Sequence, residues 1–281
     1  MEQENHLMQP ENFSIWSSFD IDLTPEDMVL AMEERKLHYC ELSDEHGAML
    51  LERPGTPAET GKAFGEFARQ HGVFFPQGHL WLKVQLCHDP DAVEILKKWL
   101  ELFAAAGVKN AVLHCDGRFP AEMPRDAIIE ENAKRLRPLA AYAQTLGIRI
   151  CLENLGSICR DAEEILKIIR ASGDSDALGI CLDTGHLNLA KPGTQAEFIR
   201  TAGSRLHALH IADNEGQRDQ HMMPFGAGNI DFSDVMKALK EIGYRDLFNY
   251  EIPGERRLPL SLRLAKTEYL RSVTQYLMSL E

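Results

Sequence analysis

The 281-residue sequence lacks a C-x-x-C pair, a run of basic residues and a glycine-rich phosphate loop after its first strand-like segment. It also lacks any apolar stretch approaching the roughly 20 residues of a membrane span. Each absence narrows the field. The six cysteines (Cys40, Cys87, Cys115, Cys151, Cys159 and Cys181) read as reduced thiols, and three of them, Cys40, Cys151 and Cys181, lie inside strand-like runs where a thiol behaves as a small buried hydrophobe. That suits a reducing compartment. A formal charge of −13 without a basic run disfavours a broad nucleic-acid footprint, although a local basic rim stays compatible with it. The opening MEQENHLMQPENF is polar and has no apolar core of a signal peptide, so a cytoplasmic location with no membrane partner is expected.

The composition is that of an ordinary globular protein, 44% hydrophobic and 26% charged, with enough chain to bury a substantial core. Strand-like and helix-like patterns alternate throughout. FSIWSSFD, LHYCELSD, VFFPQGHLWLKV, NAVLHCD, IRICLENL, LGICLDTG, LHALHIAD and LFNYEI read as eight strands. Each is followed by a segment of helical periodicity, such as TPEDMVLAMEERK, with Thr24 as N-cap and Pro25 in the first helical position. Pro138 is expected to kink or break the fourth helix. A loop of about 16 residues precedes DFSDVMKALKEIGY, a length usually associated with function. Eight β-α units in one chain of this size predict an α/β fold, a single-domain (β/α)8 TIM barrel. The strands are near-continuous apolar runs, as strands covered on both faces should be. No composition break divides the chain, so residues 1–10 are expected to form a flexible N-terminal segment and 11–281 the barrel.

The strands share a second property: run after run ends in Glu, Asp or His. Glu153, Asp183 with His186, His210, Glu251, His79 and His114 all fall at C-terminal strand ends, the face on which barrel active sites are built. Gly185, between Asp183 and His186, is expected to permit a sharp turn that lets both side chains face one cavity. Asp219 and His221, two apart in the long loop, would share a side of an extended backbone. Two Glu, an Asp and a His make a hard-to-borderline donor set suited to Mn, Zn, Co or Mg. Other polar residues receive plainer readings. Glu41, Asp44, Glu45 and His46 follow the second strand; one could reach the mouth, but the cluster reads as a solvated loop. His207 should point away from the cavity, and Asp213 and Asn214 should order their loop. Trp81 near the mouth could stack on a sugar or base, or pack in the core.

These residues resemble the xylose isomerase-like TIM barrel superfamily, which holds ketose epimerases, inositol-pathway isomerases and dehydratases, and endonuclease IV. The resemblance covers nearly the whole chain and is carried by LENLG, LDTGH, HIADN with the following D-x-H-x-x-P-x-G-x-G-x-I-D, and YEIPG. It implies one divalent metal on Glu153, Asp183, His210 and Glu251, with Glu153 and Glu251 as the catalytic acid-base pair. It implies substrate contact by His186, and His79, His114 and Trp81 are further candidate substrate contacts. It also keeps a three-zinc, nuclease-like arrangement open, because His79 and His114 with Glu153, and His186 with Asp219 and His221, occupy the positions of two more zinc sites.

The implied function is a metal-dependent isomerase or epimerase acting on a keto sugar, keto-inositol or related carbohydrate through an enediolate. The alternatives are an endonuclease IV-like zinc phosphodiesterase on abasic DNA, a lyase or dehydratase on a keto sugar, and a non-catalytic sugar- or metal-binding barrel. Nucleic acid is disfavoured as a partner because Arg118, Arg218, Arg256 and Arg257 make a thin set of phosphate contacts for the mouth. One ion is expected, with three as the upper limit, and a homo-oligomer is left open.

Overall fold

A computed structural model describes residues 7–254 and 258–280 of the chain. Its eight strands are β1 (Ser14–Trp16), β2 (Tyr39–Leu42), β3 (Phe74–His79), β4 (Asn110–Leu113), β5 (Arg149–Glu153), β6 (Leu178–Asp183), β7 (Leu206–His210) and β8 (Asn249–Tyr250). All neighbours are parallel, in the order β7-β6-β5-β4-β3-β2-β1-β8. The ring is completed just past β7, where Ile211 N–H donates to Asn249 O at 2.8 Å and Glu251 N–H to Ile211 O at 3.2 Å. This is the (β/α)8 barrel expected from the alternating pattern. Residues 1–6, most of the expected N-terminal segment, lie outside the described residues. Leu7, the first described residue, donates its N–H to Arg245 O at 2.8 Å.

Among the described residues ten α-helices surround the strands: α1 (Pro25–Glu34), α2 (Asp44–Leu51), α3 (Pro57–Gln70), α4 (Ala92–Ala106), α5 (Arg125–Leu146), α6 (Ala162–Ala171), α7 (Thr184–Ala190), α8 (Gln195–Ala202), α9 (Phe232–Glu241) and α10 (Leu260–Ser279). Local chemistry sets their ends. Thr24 caps α1 by accepting the Asp27 N–H, with Pro25 leading the helix. Thr56 and Glu59 form a capping box on α3. Gly107 and Gly147 close α4 and α5 in the left-handed conformation. Two expectations are corrected. Helix α5 runs unbroken through Pro138. The segment after β2 is the helix α2, capped by the Ser43 side chain, and not a solvated loop.

The main apolar core lies between the helices and the outer faces of the strands. Inside the ring a thin layer of small side chains, Val112, Cys151, Cys181 and Ala208, is fully buried. Below and beside it the interior is polar: Gln77 reaches across from β3 to donate to Leu209 O on β7 at 3.2 Å. All six cysteines are free thiols. None of the described helices is long and apolar enough to cross a membrane.

Candidate metal centre

The parallel strands bring the C-terminal ends of β5, β6, β7 and β8 together at one end of the ring. Glu153 stands opposite Cys181, and Asp183 opposite His210. The side chains of Glu153, Asp183, His210 and Glu251 are buried and offer four donor atoms within 4.8 Å of one another. His210 Nδ1 is 3.3 Å from Glu153 Oε1 and 3.2 Å from Glu251 Oε2. Neither approach has hydrogen-bond geometry, so His210 Nδ1, Glu251 Oε2 and Asp183 Oδ2 are buried without a hydrogen-bond partner. Buried polar atoms are normally paired. Three that are not, converging with a fourth donor on one point, fit a divalent cation. Three carboxylates gathered out of solvent also call for a positive charge. Burial, with the charges of Glu153 and Asp183 working against the pull of His210 and His221, pushes the Glu251 carboxyl up to about 8. Burial acts on Glu153 too, but His210 and His114 hold its carboxyl well below the ordinary range.

Asp183 has two tasks. Its Oδ1 caps α7 by accepting the His186 N–H at 2.6 Å, which leaves Oδ2 to face the site. Gly185 therefore sits in the first turn of a helix and not at a left-handed turn. It is small because a Cβ there would lie 3.0 Å from Asn214 Nδ2. The short helix places His186 Nδ1 3.1 Å from Glu153 Oε1 and its Nε2 3.2 Å from Asp219 Oδ2.

His221 Nε2 approaches the same Asp219 oxygen at 3.1 Å. Asp219 and His221 thus meet as expected, but through a left-handed His221 (φ 44°) and not an extended loop. Asp213 and Asn214 do order this loop. Asp213 Oδ1 accepts the N–H groups of Asn214 and Ile230, and Asn214 donates to Gly185 O at 2.8 Å. On the other side of Glu153, Oε2 is 2.9 Å from His114 Nε2 and 3.4 Å from His79 Nε2.

The structure thus gathers nine of the ten sequence candidates. Trp81, the tenth, is held by packing, its ring stacked on Trp99 at 5.3 Å with the Lys83 ammonium 5.0 Å from its centroid. His207 points away, pairing with Asp246 at 2.9 Å. One residue near the site, Trp16, carries no expectation from the sequence, and another, Glu41, differs from its reading as part of a solvated loop. Trp16, at the end of β1, stacks on His221 with ring centroids 6.5 Å apart, and a tryptophan at a strand's C-terminal end was a readable signal. Glu41 is the larger correction. It is fully buried and bonded to His210 Nε2 at 2.9 Å. Its alternation with Cys40 and Leu42 could have placed it on the inner face of β2.

Comparison with known proteins follows the same lines. The family model described as xylose isomerase-like TIM barrel matches residues 37–274. An L-ribulose 3-epimerase of Methylomonas sp. (strain DH-1) is 31% identical over 165 residues, 56% of this chain and 54% of that one. A probable endonuclease 4 of Geobacillus sp. (strain WCH70) is 33% identical over 156 residues, 50% of this chain and 51% of that one. The chain spans about half to three fifths of the length of the curated relatives it matches. In fold it is similar to the D-psicose 3-epimerase of Clostridium cellulolyticum H10 crystallised with D-tagatose (TM-score 0.75, 18% identity, 95% of this chain and 99% of that one).

Proposed function

The chain belongs to the xylose isomerase-like TIM barrel family, and from that premise we propose that it is a divalent-metal-dependent isomerase or epimerase of a keto sugar, keto-inositol or related small carbohydrate. One observation carries the reading. Two buried glutamates, Glu153 and Glu251, flank the unpartnered Nδ1 of His210 from strands three places apart around an eight-stranded ring. Glu153, Asp183, His210 and Glu251 would hold the cation, Mn, Zn, Co or Mg by their donor types. When bound, it supplies Lewis-acid polarisation of a substrate carbonyl. One glutamate takes the proton from the carbon next to that carbonyl, and the C–H electron pair moves toward the carbonyl oxygen to give an enediolate. The other glutamate returns a proton to the opposite face. Such acid-base participation contributes about 10²–10⁴-fold. His186, beside Glu153 at the mouth, orients the reacting oxygens, with His79 and His114 on the other flank. If a β-hydroxyl leaves instead of a proton being returned, the same residues make a lyase.

A second reading rests on the two outer trios. His79, His114 and Glu153, and His186, Asp219 and His221, also present donor atoms within 4.8 Å of one another, as a three-zinc phosphodiesterase would need. In the second trio, however, Asp219 already accepts from both histidines. At the rim Arg118 and Arg218 are exposed, while Arg256 and Arg257 lie outside the described residues.

The deciding experiment is deuterium uptake from solvent into a panel of ketoses and keto-inositols, run beside an abasic duplex. Exchange next to the carbonyl is expected. Cleavage of the duplex without exchange would sink the sugar reading, and inactivity on both would leave a binding protein. In this reading the protein takes a small carbohydrate, and nucleic acid is disfavoured by the thin set of basic residues at the mouth.

A further inference from the structure

We propose that Glu41 is a positioning residue for the metal centre: it fixes the tautomer and ring orientation of His210 from the side away from the cation. The proposal rests on the metal reading above. Glu41, Asn249, Ser14 and His210 come from β2, β8, β1 and β7, and all four are fully buried inside the ring. They form one chain of hydrogen bonds. Ser14 Oγ donates to Asn249 Oδ1 at 2.7 Å, Asn249 Nδ2 donates to Glu41 Oε2 at 2.5 Å, and Glu41 Oε1 lies 2.9 Å from His210 Nε2.

The direction of this chain follows from what each group can do. A carboxylate only accepts. Asn249 must therefore turn its N–H toward Glu41, which leaves its carbonyl oxygen for the Ser14 hydroxyl. By the same rule the imidazole nitrogen facing Glu41 must carry a hydrogen. In the neutral ring the lone pair is then on Nδ1, the atom that points between Glu153 and Glu251. Without Glu41 the preference reverses. The carboxylates of Glu153 and Glu251 would draw the hydrogen to Nδ1 and close the ligand atom. A carboxylate behind a metal-binding histidine sets its tautomer and raises its basicity, and loss of such a partner costs 10–100-fold in metal affinity.

The test is a titration of the metal-free chain with Co²⁺, followed by its visible absorption, for wild type, Glu41→Gln and Ser14→Ala. The glutamine is isosteric; with its carbonyl accepting from Asn249 as the carboxylate does, its N–H₂ faces His210 Nε2, which must then accept, and the ring hydrogen moves to Nδ1. The expected result is a Co²⁺ dissociation constant raised about 10-fold or more in E41Q, with the circular dichroism and thermal midpoint of the metal-free protein kept. A role confined to packing would leave that constant unmoved. Ser14→Ala, two bonds further back, should raise it by a smaller factor, and this decides the matter should E41Q not fold. Wild-type Co²⁺ affinity in folded E41Q, or an unchanged constant in S14A if E41Q fails to fold, overturns the positioning role alone. A wild type that does not bind Co²⁺ overturns the metal reading and this inference together.

Discussion

The two ends of the barrel are furnished with the same kinds of residue, yet among the described residues only the C-terminal end gathers several unpaired ligand atoms at one point. At the N-terminal end His207 pairs with Asp246 at 2.9 Å, Asn110 donates to His207 O at 2.8 Å, and Arg149 donates to Asn110 Oδ1 at 3.0 Å. That cluster closes on itself. At the C-terminal end Asp183, His210 and Glu251 each keep a buried atom without a partner. The two kinds of histidine stand three positions apart on β7: His207 is tied to a carboxylate at the rim, and His210 sits where two more carboxylates converge. A histidine beside an aspartate is therefore not in itself a sign of function. The sign is several buried, unpaired polar atoms converging on one point, since Gln77 Oε1 is also buried without a partner and stands alone.

The comparison can be broken most forcefully at Glu153. Glu153→Gln should lower deuterium exchange into substrate by about 10²–10⁴-fold while circular dichroism shows an intact barrel; full activity would remove Glu153 from the chemistry. The next effect is on stability. Stripping the protein with a chelator should lower its thermal midpoint by several degrees, since a ligand at a hundred times its dissociation constant stabilises the fold by about 2.7 kcal/mol. Restoring Mn²⁺ or Zn²⁺ should reverse the loss, and an unchanged midpoint would mean that the C-terminal end is as self-sufficient as the other.

At the closed end Asp246→Ala leaves the His207 ring without its acceptor and removes one of the two acceptors of Asn110 Nδ2. It should cost about 1–2 kcal/mol in denaturant unfolding and leave exchange per folded molecule unchanged. A loss of exchange would show that the two ends are coupled. The smallest effect is expected on the helical shell. Arg125 bonds both oxygens of Glu164, at 2.5 and 2.7 Å, while remaining partly exposed. Arg125→Ala should cost under about 1 kcal/mol. Burial raises the Glu164 carboxyl, but Arg125 and the Arg160 N–H bring it below its ordinary value. The stabilisation is thus present at neutral pH and lost as pH falls through the lowered value. The gap between variant and wild type should narrow as pH falls below the ordinary glutamate range and close past the lowered value, and a gap that persists there would point to packing.

Much of this was legible before the structure. Eight apolar runs announced the eight strands, and a Glu, Asp or His closing six of them announced the face that gathers them. Period-two alternation then fixed which side chains pointed inward. What escaped had specific causes. Glu41 was hidden by its neighbours, because Asp44, Glu45 and His46 made the stretch look like a solvated loop when it starts a short helix under a serine cap. The double duty of Asp183 depends on α7, seven residues too short to declare itself by periodicity. The contact of Asp219 with His221 depends on a left-handed residue that no spacing rule anticipates. Each of these is a matter of tertiary placement, and the hydrogen-bonded row behind His210 comes from four different strands.

The central claim is that Glu153, Asp183, His210 and Glu251 hold one working cation. Its most direct test is the divalent-metal content per chain, measured by elemental analysis after equilibration with Mn²⁺, Co²⁺ or Zn²⁺, for wild type and Asp183→Ala. One tightly held ion per chain, lost in the variant, is the expected result; no retained ion, or three zinc ions per chain, would contradict it.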